Sequence, residues 1–166
     1  MITDTDLWQI IKKERIPVND IFMKDKPPSK IKQGGYIINL QDSLDAEGNR
    51  NGGTHWVALW FPNLPRKDII YFDSFGFPIP QSLINWIRMK GGLYKNCRIV
   101  SNDVQIQDIN TGYCGSYSLF FIEFMNKNKK LNSIEALQKF NNLWSRNTKD
   151  NLNLLREFTD YVVSSE

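Results

Sequence analysis

The sequence predicts an α+β fold in which a central mixed β-sheet is flanked by helices. Two segments near the middle of the chain, His55–Phe61 and Asp68–Asp73, are apolar on both alternating faces, which is typical of central strands covered on both sides. Helical patterns lie before and after these strands, and one of them, Cys114–Lys127, is apolar almost all round, as expected of a buried helix. At 166 residues the chain is most simply a single domain, 1–166.

The first half of the chain contains one helix and several irregular segments. Thr5–Glu14 has apolar residues at helical spacing and predicts a short amphipathic helix. Ile16–Gln33, with three prolines, and Gln41–Gly53, which is polar and rich in glycine, predict irregular structure. Tyr36–Leu40 is a strand candidate between them, and Pro62–Lys67 joins the two central strands as a hairpin loop.

The second half of the chain predicts mostly helices with short connections. Gln81–Lys90 predicts a helix that ends at a pair of glycines. Cys97–Val100 predicts a short strand and Gln105–Tyr113 a loop that leads into the buried helix. Ser133–Trp144 and Thr148–Val163 predict two further amphipathic helices.

The composition excludes several classes of protein. A zinc site made of His and Cys needs about four ligands, and the chain has one histidine, His55, and two cysteines, Cys97 and Cys114. We therefore expect no metal and no other cofactor. No signal-peptide pattern or membrane-length apolar run is visible, so we expect a protein that is not secreted and has no membrane partner. The net charge of +3 is too small to require nucleic acid.

The single histidine and an acidic residue fall at matching ends of the two central strands. The midpoint of His55 and Asp73 is position 64, near the centre of the hairpin loop, so the two residues should face each other or miss by one position. Directly opposed Cβ atoms lie about 4.5–5.5 Å apart, which brings a carboxylate within hydrogen-bonding reach of an imidazole. An acid that orients a histidine is half of a catalytic triad.

Cys114 is the candidate nucleophile. It begins the buried helix, where unpaired N–H groups and a partial positive charge stabilise the nucleophilic thiolate. Gly115 follows and leaves room for a substrate backbone to approach. Gln107 lies seven residues before Cys114, and its side-chain NH2, with the backbone N–H of Cys114, could bind a developing oxyanion.

Each of these residues also has a purely structural interpretation. A single histidine on a strand and a single cysteine at the start of a buried helix are more often structural than catalytic, and Asp73 suits a turn. Gln107 alone is almost uninformative. The combination is more specific, because it requires the only histidine, an acid opposite it and a cysteine at a helix start, in this order.

Three motifs resemble a known family. Residues 52–58 read GGTHWVA, residues 71–77 read YFDSFGF, and Gln107 precedes the Cys114-Gly115 pair by seven positions. The set resembles the adenain-like cysteine proteases, a group that includes the adenovirus maturation protease, the SUMO-deconjugating proteases and similar enzymes of large DNA viruses and virophages. The resemblance covers about residues 50–125 well, and the flanking helices loosely.

The resemblance implies a papain-like cysteine protease fold of the adenain type and assigns four catalytic roles. His55 would be the general base and acid, Asp73 would orient it, Cys114 would be the nucleophile and Gln107 the oxyanion donor. The adenovirus enzyme has Glu where this chain has Asp73, an exchange that is common elsewhere in the group. Segment 108–113 lacks a proline that the adenovirus and SUMO-deconjugating enzymes often have. The resemblance therefore extends to the chemistry of the site but not to the conformation of this loop.

The resemblance also indicates substrate contacts and partners. Trp56 would pack beside the histidine ring, and Trp56, Gly53 and Gly115 would contact the substrate. Cys97 matches a cysteine that receives a disulfide from an activating peptide in the adenovirus enzyme, although an ordinary strand cysteine is the more frequent case. DNA is another activator in that enzyme, and two lysine clusters are candidates to meet it or are solvated surface: Lys24/Lys26/Lys30/Lys32 and Lys127/Lys129/Lys130.

The implied function is a cysteine endopeptidase that cleaves viral capsid or core precursors at Gly-containing sites during virion maturation. The protein would then be found in the virion and in the infected host cell. One alternative is a deconjugating peptidase for a ubiquitin-like, SUMO-type protein, although 166 residues is short for such an enzyme. Less favoured alternatives are an acyltransferase, for which no acyl-CoA motif is visible, and a non-catalytic binding module.

Overall fold

The structure is a computed structural model that describes residues 2–49, 55–64 and 66–164. Four of the strands follow the first helix in succession and three helices close the described chain, with short 3₁₀ helices at Gly92–Tyr94 and Thr148–Asp150. The elements in chain order are α1 (Asp4–Glu14), β1 (Val18–Met23), β2 (Gly34–Asn39), β3 (Trp56–Phe61), β4 (Ile69–Phe72), α2 (Gln81–Lys90), β5 (Ile99–Ser101), α3 (Cys114–Lys127), α4 (Ser133–Asn141) and α5 (Asn151–Phe158).

The strands form one mixed sheet in the order β1-β2-β3-β4-β5. The two outer pairs, β1 with β2 and β4 with β5, are parallel, whereas β2–β3 and β3–β4 are antiparallel. Helices cover both faces of the sheet. The predicted α+β class with a central mixed sheet is therefore confirmed.

Both faces of the central strands are buried, as the sequence predicted. One core lies between the sheet and helices α1, α3, α4 and α5, and includes Trp60 and Phe121. The other lies beneath α2 and includes Leu59 and Trp86. Helix α3 is buried along most of its length. Among the described residues, no helix combines the length and the apolar character that crossing a membrane requires.

The prediction of an irregular segment over Ile16–Gln33 was wrong, because β1 occupies Val18–Met23 at the edge of the sheet. The pairing of β1 with β2 shifts register between Val18 and Asp20. Such a bulge interrupts the alternation by which a strand is recognised in a sequence. The side chain of Asn19, at the bulge, donates to the carbonyl of Gln33 at 2.9 Å.

Helices α2 and α3 have the predicted bounds, but the last two predicted helices were too long. Helix α4 ends at Asn141, and α5 ends at Phe158 instead of continuing to Val163. The residues after α5 leave the helical path, and the N–H of Val163 donates to the hydroxyl of Ser116 on α3 at 2.9 Å. Contacts with α3 therefore replace the helical hydrogen bonds that the periodic pattern implied.

Gly35 on β2 is required by the close approach of α3 to the sheet. A Cβ built at Gly35 would lie 2.5 Å from Cγ2 of Ile122 and 2.8 Å from its Cγ1. We expect Gly35→Ala to lower the free energy of unfolding by about 1–3 kcal/mol, because it overpacks a buried contact. Urea denaturation measures this loss.

Truncation of the opposing side chain provides the control for Gly35→Ala. Ile122 is fully buried, so Ile122→Ala alone should be destabilising because it leaves a cavity. In the Gly35→Ala background the same truncation should cost less, since it also relieves the overlap. If the losses of unfolding free energy in the two single variants simply added up in the double variant, the close contact would not be the cause.

Candidate active site

His55 and Asp73 meet at one end of the two central strands. His55 immediately precedes β3 and Asp73 immediately follows β4, and Nε2 of the imidazole lies 2.9 Å from Oδ2 of the carboxylate. The other carboxylate oxygen, Oδ1, accepts a hydrogen bond from the backbone N–H of Phe75 at 2.8 Å. Asp73 is 1% exposed. The carboxylate is thus held at both oxygens with its position fixed by the protein.

The strand register differs from the predicted one. Extended to the strand ends, the observed pairing places His55 opposite Phe75, so that His55 and Asp73 miss by two positions. The expectation that they face each other or miss by one was wrong, because β4 begins at Ile69 and the hairpin loop is longer than predicted. An offset of two keeps both side chains on the same face of the sheet, and such diagonal neighbours remain within reach of long side chains.

Cys114 is the first residue of α3, as predicted. Its side chain is nearly buried, and its Sγ accepts a hydrogen bond from the backbone N–H of Trp56 at 3.3 Å. The sulfur also lies close enough to the His55 imidazole to raise the pKa of that ring. Because Nε2 of His55 is occupied by Asp73, the nitrogen that remains for Cys114 is Nδ1. The imidazole therefore lies between the carboxylate and the thiol.

The electrostatics of His55 favour its protonated form. Burial disfavours the imidazolium, but hydrogen bonds and negative charge from Asp73 and Cys114 outweigh it and raise the pKa of His55 from 6.5 to about 9. The ring of Phe75 stacks on the imidazole with centroids 5.1 Å apart and planes at 22°. His55 therefore binds a proton more tightly than a free imidazole does.

Gln107 is fully buried next to this group. Its Oε1 accepts a hydrogen bond from the hydroxyl of Ser74 at 2.5 Å, and its Nε2 donates to the carbonyl of Thr111 at 2.8 Å. A further contact of Nε2, to Oγ1 of Thr111, measures 3.2 Å. The carboxamide is therefore anchored between the turn after β4 and the loop before α3.

The turn after β4 brings the Gln107 loop to the site. Gly76 has φ +81°, and its N–H donates to the carbonyl of Asp73 at 2.8 Å. A Cβ at Gly76 would lie 3.0 Å from the backbone nitrogen of Gln105 and 3.1 Å from the carbonyl oxygen of Asp103. Glycine at this position thus permits both the turn and the close approach of the following loop.

The predicted substrate-contact residues have different surroundings. The side chain of Trp56 is buried, and its indole N–H donates to the carbonyl of Ile2 at 3.4 Å. A Cβ added at Gly115 would contact Leu7 and Trp56. Glycine at this position therefore lets α1 and β3 pack against the start of α3. Gly53 lies outside the described residues. Contact of these three residues with substrate remains a prediction.

Sequence reasoning missed Ser74, Phe75 and Thr111. Ser74 and Phe75 stand directly after Asp73 in the YFDSFGF motif, so proximity to the acid was the available signal. Thr111 carried no signal, because its role depends on how the loop before α3 folds back on Gln107. The aromatic ring that stacks on His55 belongs to Phe75.

The remaining predicted features lie in ordinary surroundings. Cys97 is half-buried, and both cysteines are free thiols. Lys24 lies 3.4 Å from Asp42, and Lys127 lies 3.9 Å from Glu123. Within the described ranges, no group of three or more His, Cys, Asp and Glu side chains is placed to hold a metal ion.

Stability should depend on pH through His55. Its pKa is raised on folding, so the stabilisation it contributes is fully present below about pH 6.5 and is lost as the pH rises through about 9. We expect the stability advantage of the wild type over His55→Gln to shrink over this interval by up to about 3 kcal/mol. Urea denaturation at several pH values measures it. An advantage independent of pH would contradict the raised pKa.

Comparison with known proteins gives structural similarity only. No protein-family model matches the sequence, and no match was found among curated proteins. The chain is similar to the crystal structure of ASFV pS273R protease, at 23% identity over 74% of this chain and 40% of that chain, with a TM-score of 0.45. The selenomethionine form of the same protease gives 20% identity, coverage of 80% and 45%, and a TM-score of 0.47. This chain thus spans less than half the length of that protease.

Proposed function

We propose that this protein is a cysteine endopeptidase that uses Cys114, His55, Asp73 and Gln107. The observation that carries the proposal is the position of the His55 ring, hydrogen-bonded to the buried Asp73 carboxylate and near enough to Cys114, at the start of α3, for the thiol to raise its pKa. A nucleophile, a base and a group that orients the base are the three parts that covalent acyl transfer requires.

The geometry supports a two-stage reaction. His55 holds the proton released by Cys114, and the thiolate attacks the substrate carbonyl carbon to form a C–S bond. The backbone N–H of Cys114 and the NH2 of Gln107 stabilise the resulting oxyanion. His55 then gives its proton to the leaving amine, which leaves an acyl-enzyme. A water molecule, deprotonated by His55, attacks the acyl-enzyme and restores the thiol.

The proposed substrates are viral capsid or core precursor proteins, cleaved at Gly-containing sites in the virion or the infected cell. The GGTHWVA, YFDSFGF and Gln107–Cys114 motifs support this proposal through their resemblance to the adenain-like proteases. The ring of Phe75, which stacks on His55, also supports it. A bulky ring beside the base favours residues without a side chain at the cleavage site.

Incubation of candidate precursors with the wild type and with Cys114→Ala tests this function. Mass spectrometry of the new termini should show cuts that the wild type makes and the variant does not. Replacing the glycine before the cut with a larger residue should reduce cleavage greatly, and undiminished cleavage would refute a confined cleft. If only a ubiquitin-like protein ending in Gly-Gly is cleaved, the protein is a deconjugating peptidase instead.

Activation by a peptide or by DNA remains a prediction. Cys97 is a free, half-buried thiol, and in the described part of the chain Lys24 and Lys127 each lie near an acidic side chain. Adding a cysteine-containing peptide or duplex DNA to the cleavage assay tests each activator separately. An unchanged rate in both cases would indicate a protease that is active alone.

A further inference from the structure

Ser74 connects the acid of the site to the loop that carries Gln107. It directly follows Asp73 and is fully buried. Its hydroxyl donates to Oε1 of Gln107 at 2.5 Å, and its carbonyl oxygen accepts from the backbone N–H groups of Ile106 and Gln107, both at 2.9 Å. Three hydrogen bonds therefore join one serine to two consecutive residues of the loop.

The orientation of the Gln107 carboxamide follows from its neighbours. The carbonyl oxygen of Thr111 can only accept hydrogen bonds, so the atom of Gln107 that faces it at 2.8 Å must be the NH2 group. The atom that faces Ser74 is then the amide oxygen, and the Ser74 hydroxyl must be the donor. Without that hydroxyl, the buried amide oxygen would lose this hydrogen bond and the carboxamide its fixed orientation.

We infer that Ser74 is a positioning residue for the oxyanion donor. It keeps the amide oxygen of Gln107 away from the reaction centre and so aims the NH2 group at the loop before Cys114. The amide nitrogen contacts two acceptors of the same residue, the carbonyl of Thr111 at 2.8 Å and its Oγ1 at 3.2 Å. The NH2 group carries two N–H donors, so one can hold Thr111 while the other turns to a developing oxyanion. The inference rests on the proposed peptidase function and assigns Ser74 no contact with substrate.

The arrangement also explains why the acid and the serine are adjacent. Asp73 orients His55, and Ser74 orients Gln107, so a single backbone unit sets the position of the base and of the oxyanion donor. The turn closed by the N–H of Gly76 on the carbonyl of Asp73 fixes that unit at the end of β4. A displacement of this turn would therefore move the base and the oxyanion donor together.

Ser74→Ala tests the inference with a fluorogenic peptide that carries Gly-Gly before the cleaved bond. We expect kcat to fall about tenfold and KM to change less than about twofold, because the lost interaction acts in the transition state. Affinity for a peptide aldehyde of the same sequence, which forms a tetrahedral adduct with Cys114, should fall by a similar factor. The rate of Cys114 alkylation by iodoacetamide should not change, since His55 and Asp73 are untouched.

A double-mutant cycle separates positioning from a general loss of structure. If Ser74 acts through Gln107, then Ser74→Ala in a Gln107→Ala background should lower kcat by less than about twofold further. Ser133→Ala is the matched control, because Ser133 is equally buried and its hydroxyl donates to the carbonyl of Arg66 at 2.8 Å, in a different part of the fold. A full tenfold loss in the Gln107→Ala background, or an equal loss in Ser133→Ala, would overturn the inference.

An experiment independent of catalysis distinguishes this inference from the proposed function. Hydrogen exchange of the Gln107 side-chain NH2, followed by NMR, should be about tenfold faster in Ser74→Ala than in the wild type or Ser133→Ala. Unchanged exchange would show that Ser74 does not hold the carboxamide, whatever the activity. If exchange rises but the wild type cleaves no peptide, the positioning of Gln107 stands and the peptidase function fails.

Discussion

Cys114→Ala is expected to abolish peptide cleavage, with a loss in kcat on the order of 10⁴-fold or more. In the proposed reaction the thiolate forms the covalent bond to the substrate, and the alanine side chain cannot. The sulfur is buried, and its hydrogen bond from the backbone N–H of Trp56 is long, at 3.3 Å. The fold should therefore survive the change. Cleavage of the Gly-Gly peptide, measured beside the melting temperature, separates the loss of the nucleophile from a loss of structure.

Cys97→Ala is the matched control for the nucleophile. It removes the other thiol of the chain, which is half-buried near the carbonyl of Leu93, with 3.9 Å between the two atoms. Activity without an activator should stay within about twofold of the wild type, since no part of the reaction uses Cys97. Cleavage that persists in Cys114→Ala would instead mean that another group is the nucleophile, and a folded wild type that cleaves none of the substrates would favour a binding module.

His55→Ala should be almost as damaging, with kcat/KM lower by about 10⁴-fold. The chain has no second histidine, so no other imidazole can take the proton from Cys114 or return it to the leaving amine. The variant also leaves the buried Asp73 carboxylate with the N–H of Phe75 but without its imidazole partner. Some loss of stability is therefore expected beside the loss of activity, and thermal unfolding measures it.

Added imidazole distinguishes the loss of the proton carrier from the loss of stability in His55→Ala. A small base that enters the space left by the His55 ring should restore part of the cleavage rate of His55→Ala, and it cannot repair a misfolded chain. In the wild type, kcat should decline as the pH rises through about 9, because the imidazolium that protonates the leaving amine is then lost. Absence of rescue in a folded variant, with no decline in the wild type, would exclude His55 as the proton carrier.

The residues that meet at the candidate site, His55, Asp73 and Cys114, were largely predictable from sequence, because the required residue types are scarce. A single histidine leaves one candidate for the proposed base, and Cys114 is distinguished from Cys97 by its place at the first residue of a buried helix. The helix bounds of α2 and α3 were also predictable, since glycines end the first and a long apolar pattern defines the second. These features depend on residues close together in the chain.

The sequence by itself therefore determined the fold class, the central strands and two residues of the candidate site. These are His55, the single histidine, and Cys114, at the start of the buried helix. Only the tertiary structure decided the two-residue offset of His55 and Asp73, the strand at Val18–Met23 and the bond from Ser74 to Gln107. Each of these depends on a loop length, a bulge or a contact between segments distant in sequence. Local periodicity does not encode such pairings, because they are selected by the packing of the whole sheet against its helices.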